Sequence, residues 1–141
     1  MPRRAATTPP PTAYQRAIRR LSRRDHSVAE LRQALVERGH DPAEVEQALE
    51  RLRRERYLDD AGFAERFARS RMAHQGLGRL RVRQGLRQRG VDRGTIDAGI
   101  AGALREVDER DLLDGLARRY WRQHTRVEPA QRLPRLWAFL L

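Results

Sequence analysis

Apolar side chains along this chain recur at intervals of three and four residues, never in strict alternation. Tyr14, Ala17, Ile18 and Leu21 lie at i, i+3, i+4 and i+7 and predict one face of a helix that begins after Thr12. Ser27-Val-Ala-Glu30 has the spacing of a capping box, in which the serine oxygen accepts from a free backbone N–H and the glutamate reaches back to the cap. Leu31, Ala34 and Leu35 form the apolar stripe that follows, and Gly39 stands where a helix C-terminal glycine is expected. Asp41-Pro42-Ala-Glu44 opens a third helix with proline at a position whose missing N–H costs nothing, and Val45, Ala48, Leu49 and Leu52 make its buried face. No strand-length run alternates, so the pattern predicts an all-α chain.

The same grammar returns 51 positions later. When Gly39 is set on Gly90, Leu31, Leu35, Val45 and Leu49 fall on Val82, Leu86, Ile96 and Ile100, while Ala13, Ala17 and Leu21 fall on Ala64, Ala68 and Met72. Arg38 and Asp41 fall on Arg89 and Asp92, and Gln33 on Gln84. A glycine, a cap and several stripes held in one register indicate an internal repeat. A third copy starts at Asp108. Leu112, Leu113, Leu116, Ala117, Tyr120 and Trp121 belong to its first helix, and Pro129 opens a second with Leu133, Leu136, Trp137 and Leu140. The expected division is a disordered tail at 1–11, three-helix repeats at 12–57 and 58–107, and an incomplete third repeat at 108–141 with an open apolar face.

Charge adds a partner to this picture. Of 141 residues, 30 are basic and every one is Arg, with no Lys; the formal net charge is +11 at pH 7. A GC-rich genome explains the absence of Lys, yet Arg forks also suit phosphate. An excess of this size points to a polyanionic partner. The segment from Arg66 to Val91 holds eight Arg and no acid. Within it Arg79, Arg81, Arg83, Arg87 and Arg89 crowd one short helix, with Val82 and Leu86 pointing inward and Arg83 and Arg87 sharing the outer face at i and i+4. These five are the candidate nucleic-acid-binding residues, their repulsion uncompensated by neighbouring acids. Gly76, Gly78 and Gly85 are expected to let a partner approach the backbone closely. By contrast Arg51, Arg53, Arg54 and Arg56 interleave with Glu44, Glu46, Glu50 and Glu55, as on a salt-bridged exposed face.

Catalytic chemistry finds no foothold. There is no cysteine, which excludes disulfides and thiolate sites. His26, His40, His74 and His124 are scattered and read as surface or turn residues, so no metal site or cofactor is expected. Asp59-Asp60 reads as a helix cap before a paired-carboxylate site. Gly76-Leu-Gly78 is too short for a phosphate loop, and Ser22, Ser27 and Ser70 lack nucleophile context. Trp121 and Trp137 could stack bases, but their helical spacing within apolar stripes favours the core or the exposed face of the incomplete third repeat. No secretory signal and no apolar run near the roughly 18 residues of a membrane span are present, so a soluble, cytoplasmic protein without a small-molecule substrate is expected.

Taken in order, Ser27-Val-Ala-Glu-Leu31 leading to Leu35 and Arg38-Gly39, then Tyr57-Leu58-Asp59-Asp60 with Phe63-Ala64, then Gly78-Arg79 leading to Leu86 and Arg89-Gly90-Val91, resemble the RecX family, the regulators of the recombinase RecA. The resemblance runs from residue 13 to the end of the sequence. It implies three tandem three-helix repeats in an elongated, curved array. It also implies binding to RecA–DNA filaments and restraint of RecA's ATP hydrolysis, strand exchange and co-protease activity, in DNA repair and the SOS response, with direct affinity for single- and double-stranded DNA. No catalytic residues come with it. The family continues through an Arg-Gly-Phe turn and a further helix that this sequence stops short of. The residues alone leave two other readings open: an autonomous helix-turn-helix DNA-binding protein, and an α-solenoid scaffold whose charge serves solubility.

Overall fold

A computed structural model describes residues 8–106, 109–126 and 128–140. Among them are eight helices and no strand: α1 (Ala13–Leu21), α2 (Val28–Glu37), α3 (Pro42–Arg54), α4 (Asp60–Gln75), α5 (Arg79–Gln88), α6 (Arg93–Glu106), α7 (Glu109–Gln123) and α8 (Pro129–Leu140). The all-helical expectation holds. Tail residues 1–7, the expected third-copy start at Asp108, and the side chains of Leu112 and Leu140 lie outside the described residues.

The chain gathers into two compact units. The first comprises residues through His26 together with Glu30–Leu58; the second comprises Ser27–Ala29 with the chain from Asp59 onward. In the first unit Thr12 and Gln15 cap α1 reciprocally, side chain to backbone in both directions. The Ala13 N–H donates to Glu44 of α3, and this bond, with His40 alongside, holds the Glu44 carboxyl below the ordinary carboxylate range. Asp41 caps α3, accepting from Ala43 and Glu44, with Pro42 beside it. Ala13, Ala17, Leu31, Leu35, Val45, Ala48, Leu49 and Leu52 are buried. Each large apolar side chain among them contributes about 1.5–3 kcal/mol relative to exposure. The expected ionic face of α3 is present in part: Arg51 pairs with Glu55 at 2.8 Å and covers the Tyr14 ring at 3.9 Å and Arg53 meets Glu50, while Glu46 pairs with Arg32 of α2 instead.

In the second unit Phe63, Ala64, Ala68 and Met72 of α4 pack with Val82 and Leu86 of α5, Val91, and Ile96, Ile100 and Ala103 of α6. Asp59 caps α4, as its place before a helix predicts, while Asp60 accepts from the Val28 N–H at 2.9 Å. The Ser27 hydroxyl donates to the Arg89 carbonyl. The turn after α5 is closed by Gly90 at φ +75°, with Val91 N–H bonded to the Leu86 carbonyl; the turn after α2 repeats this with Gly39 at φ +84° and His40 N–H on Leu35. On α7, Leu116 and Tyr120 are buried, and Tyr120 lies between His124 and Phe139, with centroids at 4.1 and 5.3 Å. Trp121 and Trp137 are 39% and 64% exposed, with Leu113 and Leu133 also open to solvent. α8 continues through an internal Pro134, which the apolar spacing did not foretell.

In the second unit α4 and α6 approach each other closely. A Cβ added at Gly99 would lie 2.7 Å from the Ala64 Cβ and 2.9 Å from its carbonyl carbon, which cannot swing away as a side-chain tip can. Gly99→Ala is therefore expected to destabilise the protein by about 1–3 kcal/mol of overpacking, outweighing the roughly 1 kcal/mol gained in helix propensity. Gly115→Ala on α7 meets nothing within 4 Å and is expected to stabilise by up to about 1 kcal/mol. Urea denaturation of the two variants measures both, and a rise in midpoint for Gly99→Ala would contradict the close-approach argument.

Candidate nucleic-acid interface

α5 is pinned by Val82 and Leu86, both wholly buried, so its other positions must face outward. Arg79, its first residue, is exposed. Arg81 and Arg87 are exposed and have no carboxylate partner among the described residues. Gln84 and Gln88 lie between them on the helix surface, and Leu80 is 55% exposed at the same face.

The other two candidates differ. Arg83 is half-buried and bridges to Asp97 of α6 at 2.8 Å, and Asp97 also draws Arg93 at 3.9 Å. Arg89 folds back: its guanidinium donates to the Gly85 carbonyl at 2.9 Å and lies over the Phe67 ring at 4.7 Å, a contact shared by Arg71 at 4.9 Å. The arginine run is thus partly compensated, by Asp97 and by Glu65, which binds Arg69. That corrects the expectation from the acid-free segment, because acids flanking it reach in, Asp97 across from α6 and Glu65 from one turn earlier on α4. The five residues do not form one even surface. Arg81 and Arg87 are available, Arg83 is tethered, and Arg89 holds the end of α5.

The glycines also serve the fold rather than a partner. Gly76 is the left-handed cap of α4, and the space beside it is filled by the Arg119 guanidinium, which donates to the Gln75 carbonyl. Gly85 accommodates the Phe67 ring, 3.0 Å from where a Cβ would sit. Gly78 precedes α5 as its N-cap without a side-chain hydrogen bond.

The first unit holds cationic residues that the charge runs did not single out. Arg16, Arg19, Arg20, Arg23 and Arg24 line a cleft with His26 and Arg38. Their signal was present as spacing, i, i+3, i+4, i+7 and i+8, which places all five on one side of α1 and the turn that extends it. His26 is a correction to the surface reading. It is 5% exposed, its Nδ1 meets the Arg24 carbonyl at 3.0 Å, and burial, reinforced by Arg24 and Arg20, lowers its pKa from the ordinary imidazole value. Among the described residues no group of three or more His, Cys, Asp or Glu is placed to hold a metal ion. No helix among them is long and apolar enough to cross a membrane.

With this geometry in hand, two family models match the chain: the first three-helix domain of RecX over residues 13–52, and the second three-helix domain of RecX over residues 59–100. The chain belongs to the RecX family. It is 50% identical over 92 residues to the regulatory protein RecX of Halorhodospira halophila, covering 65% of this chain and 55% of that protein. With the RecX of Xanthomonas campestris pv. campestris it shares 36% identity over 131 residues, 93% of this chain and 79% of the relative. A crystal structure of a regulatory protein RecX matches with a TM-score of 0.74 at 25% identity, over 91% of this chain and 63% of that one. The crystal structure of RecX from Lactobacillus salivarius shares the fold, with a TM-score of 0.71 at 17% identity, over 91% and 83%. The chain thus spans little more than half of the Halorhodospira relative. RecX is a family of regulatory proteins, and the two matched domains contain both the α1 and the α5 arginines.

His26 makes the first unit sensitive to pH in a defined direction. Its folded-state pKa lies below the unfolded value of about 6.5, so the unfolded chain takes up the proton first. Stability is therefore expected to fall as pH drops below about 6.5, until the folded-state pKa is reached. An NMR titration of the His26 ring should show a midpoint below the ordinary value, and His26→Gln should remove this part of the acid dependence. A midpoint at or above about 6.5 would contradict the burial argument.

Proposed function

We propose that this protein regulates the RecA recombinase by binding RecA–DNA filaments and restraining ATP hydrolysis, strand exchange and co-protease activity in DNA repair and the SOS response. The observation that carries this reading is the match of both three-helix domains to RecX over most of the helical chain. The repeats at 12–57 and 58–107, followed by 108–141, are taken as its working units. The cytoplasm, where RecA and its DNA meet, is its proposed location. Binding replaces catalysis in this scheme. A regulator of a filament needs surface complementary to protein and to phosphate, and thin helical units with charged outer faces supply that surface.

In this reading Arg81 and Arg87 are the principal phosphate contacts of α5, with Arg79 beside them. Arg83 takes part only by exchanging Asp97 for phosphate, and Arg89 positions the helix end. Direct DNA contact is supported by a formal net charge of +11 at pH 7 and by the exposed guanidinium groups of Arg81 and Arg87, which have no carboxylate partner among the described residues.

The test is RecA's single-stranded-DNA-dependent ATP hydrolysis with rising amounts of the protein at two salt concentrations. Inhibition at substoichiometric levels is expected, and weaker at higher salt. No inhibition by folded protein would overturn the recombinase reading, and sequence-specific DNA binding in the absence of RecA would replace it with the helix-turn-helix alternative. Arg81→Gln with Arg87→Gln is expected to weaken DNA binding and to flatten its salt dependence by about 0.7 per lost contact on single strands and about 0.9 on duplex. An Arg83→Gln change should have the smaller effect.

A further inference from the structure

The structure accounts for only some of the arginines on α1 and the turn that extends it. Arg19 and Arg20 stand in the last turn of the helix, where cations complement the helix dipole. That argument does not reach Arg16, one helical turn earlier, or Arg23, beyond the helix end. Only Arg24 of the row has a carboxylate, Glu30 at 3.5 Å; Arg16, Arg19, Arg20, Arg23 and Arg38 have none among the described residues. Arg16 is the most telling. It is half-buried, and its Nε is shielded from solvent without any hydrogen-bond partner. A desolvated guanidinium nitrogen left unpaired is costly, and an incoming anion would remove that cost. On α3, in the same unit, the basic residues Arg51 and Arg53 each have a glutamate. The lack of acids on α1 is therefore local: residues 1–24 contain none.

The shape of the cleft narrows the ligand. It encloses about 460 Å³, and its lining is six arginines and one histidine, with no Phe, Tyr, Trp or aliphatic residue. A nucleotide bound as a whole would need an apolar or stacking surface for its base. This cleft offers mainly the forked donors and positive charge of its six arginines. It suits several phosphates close together and nothing attached to them.

We propose that the cleft of the first unit is a second phosphate-binding site, one that grips consecutive phosphodiesters of a nucleic-acid strand through the backbone alone and without regard to base. This extends the DNA contact inferred for α5 to a separate surface. It rests on the nucleic-acid part of the proposed function and is independent of RecA.

The experiment is fluorescence anisotropy of the full chain with a labelled single-stranded oligonucleotide over a series of salt concentrations, with no recombinase present. The variants are Arg19→Gln with Arg23→Gln, Arg81→Gln with Arg87→Gln, and all four together, each checked by circular dichroism. Arg19 and Arg23 are chosen because their exposed side chains hold no described contact that folding would lose. The α1 pair is expected to lower affinity several-fold and to reduce the salt slope by about 1.4, with the four-fold variant losing about twice that. Oligothymidine and mixed sequences should be affected equally. An unchanged affinity and slope for the folded α1 pair, with loss confined to the α5 pair, overturns the proposal. Two competitors distinguish the source of the phosphates. Displacement by tripolyphosphate at equal phosphate concentration would reassign the cleft to free polyphosphate. Equally tight displacement by polyglutamate, lost in the same variant, would reassign it to an acidic peptide. Because RecA is absent, failure of the recombinase reading leaves this result untouched.

Discussion

The second unit is organised by how closely α4 can approach α6. Ala64 and Gly99 meet at a distance that admits no further carbon, so the two helices pack backbone to backbone at that point. The larger residues on either side, Phe63 and Met72 on α4, Ile96 and Ile100 on α6, then close over the crossing. α5 has only Val82 and Leu86 to bury, and it gains its place from the surface the other two helices create. The first unit carries the same small pair at the same spacing, Ala13 and Ala48, and both are buried. Short helices cannot be stable alone in water. A crossing that brings them near enough to share one apolar layer is what makes ten-residue α5 possible at all.

That dependence fixes the electrostatics as well. Once Val82 and Leu86 are turned inward, Arg81 and Arg87 must face solvent, and Arg83 is carried toward α6, where Asp97 waits. Arg89, at the end of the helix, finds the Phe67 ring and the Gly85 carbonyl within reach. One arginine-rich helix therefore contains three kinds of arginine, distinguished by what the neighbouring helix presents. In the first unit the same contrast runs between helices. The bases Arg51 and Arg53 of α3 have nearby glutamates, and the bases of α1 have no carboxylate partner among the described residues. A high net charge is compatible with a folded state when its excess is gathered on surfaces that a polyanion can neutralise.

These features suit a RecX protein. Regulation through binding asks for donors held in position, and both arginine surfaces are built on packed helices, with Arg23, Arg24 and Arg38 of the first in the adjoining turns. α1 is anchored by its Thr12–Gln15 capping box and by the Ala13–Glu44 bond, α5 by its two wholly buried residues and its glycine turn. The α7–α8 pair is held differently. Its aromatic contacts centre on Tyr120, while Trp121, Leu133 and Trp137 remain open to solvent.

Much of this was legible without coordinates. The three-and-four periodicity named the helices, and the 51-residue offset named the buried positions, because burial of one helical face leaves an unavoidable periodic trace. The left-handed turns at Gly39 and Gly90 were marked by glycine itself, since other residues rarely adopt that conformation. The cap at Asp59 and the paired charges of α3 were equally local. What stayed hidden depends on contacts between residues far apart in sequence. The bridge from Arg83 to Asp97, the Phe67 ring beneath Arg89, the filling of Gly76 by Arg119, the burial of His26 and the convergence of Arg38 on the arginines of α1 all require the helices to be placed. The sequence by itself determined where helices form and which face of each is apolar. The tertiary structure alone decided which arginines are spent on the protein and which remain for a partner, because a charge is neutralised by what lies near it in space.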